Sequence, residues 1–375
     1  MPSKVSQYLR APIGQLLIIG FDGIEMSPRL ASLLSRIQPA GVILFARNIT
    51  GSEQTHRLLR DCQKQLATPL FACVDLEGGT VDRFRSVLGP APSPAQVFAT
   101  GRRELFRKHG RVIGTNCRAL GFNVDFAPAL DLAFEASRSV MTSRAVSDDP
   151  KQVVAYAREF LRGLGDAGVL GCGKHFPGLG EAKLDTHHEL PSVDKPLKKL
   201  WNQDLVPYRT LRRELPFVMV SHAAFPLVTK EHTPASLSKK WITDILRKKI
   251  GYRGLICSDD LEMGGVLAAA PIEQAAIGHI RAGGDLDLIC HQEDLIVRAY
   301  EAMIRQAERD RRFAGRVQES SRRVLAFKKK WKPRRVPAPT VAVTEKLSRQ
   351  LWEFGEEIRL ATLDLKTIGR QERSS

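Results

Sequence analysis

The segment GKHFPGLGEAKLDTHHELP, from Gly173 to Pro191, gathers the residue types best suited to moving a proton. Asp185 and His187 stand two apart, so in an extended stretch their side chains share one side. A carboxylate on one imidazole nitrogen fixes the tautomer and supports proton exchange at the other. The same pair in a turn serves equally as an Asp cap beside solvated histidines, and His188 is the neighbouring rival for any acid role. A second element, CSDDLEM, sets Asp259 beside Asp260. Adjacent residues of a strand face opposite ways, so at most one of these carboxylates enters a common site. A lone inward carboxylate suits nucleophilic attack on an anomeric carbon; its bland alternatives are a metal ligand or a helix cap. A third element, VDLEGGTVDRFR, puts Asp75 ahead of a glycine pair that permits a sharp turn. Beyond the turn, Arg83 can reach back with a guanidinium fork for hydroxyls or carboxylates.

These residues need a scaffold that brings distant segments together. Eight apolar runs of strand character recur along the chain, beginning at Gln15, Gly41, Leu70, Asn123, Val169, Pro216, Gly254 and Leu286. Their hydrophobicity is continuous, as in parallel strands buried on both faces. Helix-length segments such as DPKQVVAYAREFLRGLGDAG and SKKWITDILRKKIG separate them and end in Gly. Eight strand–helix units in about 300 residues predict an α/β fold, a (β/α)8 barrel. A doubly wound open sheet is the alternative, but no G-x-G-x-x-G follows the first run. Nearly every run ends in a charged or imidazole residue: Asp22, Arg47, Asp75, Asp131, His175, His222, Asp259, Asp260 and His291. In a barrel those ends form one face, where active sites are built. Residues 1–332 read as that barrel, and 333–375 as a stiff PRRVPAPT linker with a helical tail, too short for a second full domain.

Composition narrows the function. The chain has 375 residues, 43% hydrophobic and 26% charged, so it can bury a large core. No run of about 18 apolar residues occurs to span a membrane, and the Ile13–Phe21 stretch lacks a signal-peptide cleavage pattern. The six cysteines form no C-x-x-C pair, and four lie inside apolar runs, which predicts buried thiols in a reducing compartment. Formal net charge is +16, but residues 305–335 alone carry 13 basic and 3 acidic side chains. Arg322, Arg323 and Lys328–Lys330 flank Val324, Leu325 and Phe327, the pattern of an amphipathic helix with a solvated basic face. Nucleic-acid binding is not expected, since no zinc-finger spacing or RNA-stacking strand pair accompanies the charge. The histidines show no H-E-x-x-H or comparable ligand spacing, so neither metal nor organic cofactor is expected.

Together the segments GVILFARN, VDLEGG-x-VDRFR, NVDFAPALD, SRAVSDDP, KHFPG-x-G-x4-DTH, VMVSH, TPASLS, SDDLEM and AGGD resemble, in order, glycoside hydrolase family 3, specifically its single-domain bacterial β-N-acetylhexosaminidases. The likeness covers roughly residues 15–330. It implies a (β/α)8 barrel that removes terminal β-linked N-acetylglucosamine with retention, commonly in the cytoplasm and on muropeptides. By the same resemblance Asp259 is the nucleophile, His187 the acid/base and Asp185 its dyad partner. Asp75, Arg83, Arg144, Lys174 and His175 then bind the sugar. Three positions depart from the family's usual pattern: Leu179 replaces the second His of H-F-P-G-H-G, Thr80 replaces the Arg of G-G-R-V, and RAVS replaces RSFG around Arg144. The dyad and nucleophile are intact, which implies that aglycone and loop closure change before reaction type does. A phosphorylase, a β-glucosidase-like relative and a non-catalytic basic binding protein are the competing readings.

Overall fold

The computed structural model describes residues 4–137, 141, 143–182, 190–331 and 336–371. Asp185, His187 and His188 lie outside the described residues.

Eight parallel strands close into a barrel: β1 (Leu17–Ile19), β2 (Gly41–Ile43), β3 (Phe71–Val74), β6 (Val124–Asp125), β7 (Leu170–Phe176), β8 (Phe217–Val220), β9 (Leu255–Asp260) and β10 (Leu286–Ile289). Each lies within one of the eight apolar runs. The sheet closes where Leu17 pairs with Asp287. A two-stranded hairpin, β4 (Leu76–Gly78) and β5 (Val81–Asp82), folds off the end of β3. The glycine pair makes its turn, with Gly78 at φ +87° and Gly79 at φ +63°, a region L side chains avoid. A Cβ at Gly78 would also sit 2.1 Å from the Pro92 carbonyl oxygen.

Parallel strands need crossovers, and helices supply them. The 17-residue helices Arg103–Ala119 and Pro150–Asp166 pack side by side on the barrel wall. The second starts with Pro150 in its first turn and with Asp149 as N-cap, accepting from the Lys151 N–H at 2.8 Å. The Lys240–Lys249 segment, expected to be an α-helix, is wound as a π-helix.

The barrel interior is apolar. Ile18, Ile43, Phe71, Cys73, Val124, Phe126, Cys172, Phe217, Leu255, Cys257 and Leu286 fill it, a packed core with no pore. All six cysteines are buried and free. The helix Arg311–Lys330 covers the base of the barrel, bringing Val324, Phe327 and then Trp331 against Phe71 and Phe217.

This base corrects the expectation of a solvated basic face. Lys328 is 2% exposed and donates to Gln15 Oε1 at 3.0 Å and Thr68 Oγ1 at 3.1 Å. Arg323 and Arg247 both clasp the fully buried Asp285 of the AGGD motif. An Asp ahead of β10 at the base needs cationic partners to be buried at all, so part of the charge run is structural. The helix Val341–Gln371 follows, and its Leu347, Leu351, Phe354, Ile358 and Ala361 join the hydrophobic cluster beneath the barrel helices. Among the described residues no helix is long and apolar enough to cross a membrane.

Candidate active site

The C-terminal ends of the strands converge, and their side chains form a chain of charge. Asp75 leaves the end of β3, and Glu77 follows it in β4. Two apart in extended backbone, they face the same way. Lys174 from β7 bridges them, its Nζ 2.8 Å from Asp75 Oδ1 and 2.6 Å from Glu77 Oε1. Glu77 also accepts a two-pronged bond from Arg144, Nε at 2.8 Å and Nη2 at 2.7 Å. Arg144 Nη2 then lies 3.3 Å from His175 Nε2. A guanidinium only donates, so that nitrogen of His175 accepts, and its Nδ1–H donates to Asp131 Oδ2 at 2.7 Å. Asp131, 1% exposed, also receives the backbone N–H of His175 at 3.1 Å and of Leu179 at 2.7 Å.

The electrostatics follow from burial and neighbours. Burial alone would push the Glu77 carboxyl up; the Lys174 and Arg144 cations outweigh it and hold the carboxyl far below the usual carboxylate range. Burial would likewise lower the Lys174 ammonium, but Asp75 and Glu77 raise it above the ordinary lysine value. Glu77, Lys174 and Arg144 therefore keep their charges across the neutral range.

Asp259 lies half-buried near the end of β9. Burial raises its carboxyl, yet the imidazoles of His175 and His222, the Asp260 N–H at 2.9 Å and Lys174 bring it below the usual range. It is an ionised carboxylate at neutral pH. Its neighbour Asp260 points elsewhere, as strand alternation requires, with Oδ2 3.4 Å from His291 Nε2. His222 is held between Ser236 Oγ at 2.7 Å and the Asp260 carbonyl oxygen at 2.8 Å, and burial lowers its imidazole. The VMVSH and TPASLS motifs thus meet to brace the backbone that carries Asp259.

Of the predicted site residues, the structure brings together Asp75, Arg144, Lys174, His175 and Asp259. Arg83 sits at the rim with its guanidinium 5.5 Å from the centre of the Phe45 ring, which also carries Arg47 at 4.7 Å and stacks on His291 at 5.2 Å. Its Nε is buried with no hydrogen-bonding partner among the described residues. Asp22 is 84% exposed and pairs with Arg47 at the periphery.

The departures have local accounts. Leu179 packs partly buried against an apolar cluster, and the bond to Asp131 uses its backbone N–H, which any residue but proline offers. Thr80 Oγ1 meets Ser143 Oγ at 2.8 Å, tying the hairpin to the segment that carries Arg144. In RAVS, Ala145 is buried beside Ala129 and Met141.

Sequence reasoning did not single out Glu77, Ser236 or the orienting role of Asp131. The signal for Glu77 was its i, i+2 spacing from Asp75. Asp260, Glu262 and His291 bring possible metal-ligand atoms within 4.8 Å of one another. The Glu262 carboxylate is already taken by the backbone N–H groups of Cys290, His291 and Gln292.

Comparison with known proteins places this geometry. The sequence model of the glycosyl hydrolase family 3 N terminal domain matches residues 8–327. A beta-hexosaminidase of Idiomarina loihiensis is 33% identical over 290 residues, covering 76% of this chain and 87% of the relative. A beta-hexosaminidase of Bordetella parapertussis is 38% identical over 263 residues, covering 68% of this chain and 74% of the relative. The solved family 3 beta-N-acetylglucosaminidase of Paenibacillus sp. str. FPU-7 superposes with a TM-score of 0.85 at 31% identity, covering 93% of this chain and 68% of that one. The closed parallel barrel, the charged mouth and these likenesses agree: the chain belongs to glycosyl hydrolase family 3.

Proposed function

We propose that this protein is a retaining β-N-acetylhexosaminidase working through a covalent glycosyl-enzyme. It is a hydrolase of the β-hexosaminidase type, as its curated relatives are. Asp259 attacks the anomeric carbon while His187, oriented by Asp185, protonates the leaving glycosidic oxygen. The bond to the aglycone breaks as the Asp259–carbon bond forms. Water, deprotonated by the same His187, then releases the sugar and restores the carboxylate. An imidazole replaces the usual second carboxyl, and its ordinary pKa of about 6.5 suits both halves of that cycle. Asp75, Arg83, Arg144, Lys174 and His175 hold the sugar's hydroxyls and acetamido group.

The single observation that carries this reading is Asp259. A nucleophile must be ionised and partly desolvated at the mouth, and Asp259 is half-buried near the end of β9 with its carboxyl lowered beside Lys174, His175 and His222. The proposed substrates are muropeptides or related glycans ending in β-linked N-acetylglucosamine, met in the cytoplasm by a catalytic barrel spanning residues 1–332. The test is nitrophenol release from the β-N-acetylglucosaminide and the β-glucoside, with and without phosphate, beside Asp259→Ala. Phosphate-independent turnover of the acetamido sugar, lost in the variant, is the expected result. Turnover that requires phosphate assigns a phosphorylase, and full activity in Asp259→Ala sinks the assignment of the nucleophile.

A further inference from the structure

Glu77 has a peculiar position. It is 1% exposed, against 18% for the Asp75 side chain two residues earlier. Asp75 opens onto the mouth, whereas Glu77 lies behind the cations. Among the described residues its side-chain hydrogen bonds run to two partners: Oε1 accepts from Lys174 at 2.6 Å and Arg144 at 2.7 Å, and Oε2 from Arg144 at 2.8 Å. Two cations brought this close repel, and a buried pair of like charge needs a shared counter-ion with good geometry. The backbone holds that counter-ion in place. Leu76 N–H donates to Asp125 Oδ1 at 2.9 Å before it, and the Gly78–Gly79 turn, pressed against Pro92, follows it.

From this geometry we propose that Glu77 is a positioning residue for sugar binding, the common anchor that sets the direction and charge of both Lys174 and Arg144. This rests on the reading above that those two cations bind the sugar. Glu77 itself never touches substrate. It takes Arg144's Nε–Nη2 edge and one ammonium proton; Asp75 takes a second ammonium proton and His175 the other Nη2 proton, so the donors left to point at hydroxyls are the third proton of Lys174 and the Nη1 side of Arg144. A rigid fork pinned along one edge loses little freedom when a ligand arrives, which is how a supporting carboxylate improves affinity. With Glu77 neutral, Lys174 keeps Asp75 as its close acceptor and still faces Arg144. Asp259 acts on it from farther off, Asp125 is kept neutral by burial, and His175 adjoins it in β7.

The experiment compares wild type, Glu77→Gln and Glu77→Asp. It reads KM and kcat on the nitrophenyl β-N-acetylglucosaminide and calorimetric binding of free N-acetylglucosamine between about pH 7 and about pH 10, with a melting curve for each protein. Binding is followed besides turnover because it does not pass through His187. In Glu77→Gln, KM and Kd are expected to rise about tenfold or more, with kcat falling less. Its binding should weaken progressively towards alkaline pH, where wild type stays flat, because Lys174 then loses its proton earlier. Glu77→Asp keeps the charge but not the reach, so KM should rise several-fold while binding stays flat with pH.

A folded Glu77→Gln with KM, Kd and their pH dependence within twofold of wild type overturns the proposal, as does a loss confined to kcat. Should Glu77→Gln fail to fold, Glu77→Asp decides: an unchanged KM overturns the proposal, and the several-fold rise with flat binding upholds it. A wild type that neither turns over nor binds the sugar removes the functional reading and this one together. Wild-type activity matched by both variants removes only this one.

Discussion

Two lysines at opposite ends of one barrel are each 2% exposed, and their surroundings have opposite effects. At the mouth, Lys174 meets Asp75 and Glu77, and the carboxylates lift its ammonium above the ordinary value despite burial. At the base, Lys328 meets an amide oxygen, a hydroxyl and the face of Phe71 at 5.0 Å; burial dominates and lowers it to about 7. The side chain and the depth are the same, so the partners alone decide whether the charge persists. The mouth is organised to keep charge for a ligand. At the base one amine donates to two oxygens that are already joined, Thr68 Oγ1 donating to Gln15 Oε1 at 3.1 Å, and no carboxylate stands close enough to hold its charge.

The contrast is broken most severely at the mouth. Lys174→Met removes the cation between Asp75 and Glu77, leaving Glu77 to Arg144 and Asp75 without its bridging ammonium, and removing one member of a buried pair costs about 3–5 kcal/mol. Turnover is expected to fall by about two orders of magnitude or more, read by nitrophenol release at matched folded fraction. Retained turnover would separate the lysine from the site.

Asp131→Asn is the next largest. Wild-type Asp131 accepts three N–H bonds, from His175 twice and from Leu179. An amide presents one donor in place of an acceptor, so at least one of those bonds becomes a clash. Losing a charge-assisted bond costs about 1.5–3 kcal/mol, so kcat/KM should drop roughly 10- to 100-fold.

At the base the sign reverses. Lys328 has a folded value near 7 and an unfolded value of 10.5. Between them the unfolded chain binds the extra proton, so stability rises with pH, by about 1.4 kcal/mol per unit. It is lowest below pH 7, where the folded state carries the buried charge in full. Lys328→Met should remove that slope, raise stability at neutral pH and leave turnover unchanged. Urea unfolding of both proteins across the alkaline range measures it, and parallel curves would refute a lowered ammonium.

The smallest effect belongs to Asp125, which sits fully buried in the barrel with its carboxyl pushed well up by burial. A carboxyl already neutral resembles an amide, so Asp125→Asn should change stability by no more than about 1 kcal/mol. Turnover should stay within about threefold of wild type. Glu77→Gln, the same chemical change two strands away, is the sharp contrast.

Legibility differed between fold and site. All eight strands lie in continuous apolar runs, because strands buried on both faces cannot alternate. The polar strand ends marked the mouth, but the same pattern covered unequal residues: His175 and Asp259 sit in the charge network, whereas Asp22 is a peripheral ion pair with Arg47. Glu77 was hidden because an acid beside glycines reads as turn chemistry until its burial is known. The basic run misled for the same reason. Its repeat predicts one helix, but whether Arg323 and Lys328 meet solvent depends on what the helix covers.

What the sequence by itself determined is therefore periodic and local: the strand–helix alternation, the glycine turn after Asp75, and the ordered motifs that place the chain in its family. These follow from backbone preferences and from apolar side chains leaving water, which neighbours in sequence settle among themselves. Charge was decided only by the tertiary structure. Whether Glu77 is ionised, Asp125 neutral, Lys174 charged and Lys328 close to losing its proton depends on groups that can stand hundreds of residues away. Electrostatic energy is set by distance and burial, and neither can be read from position in the chain.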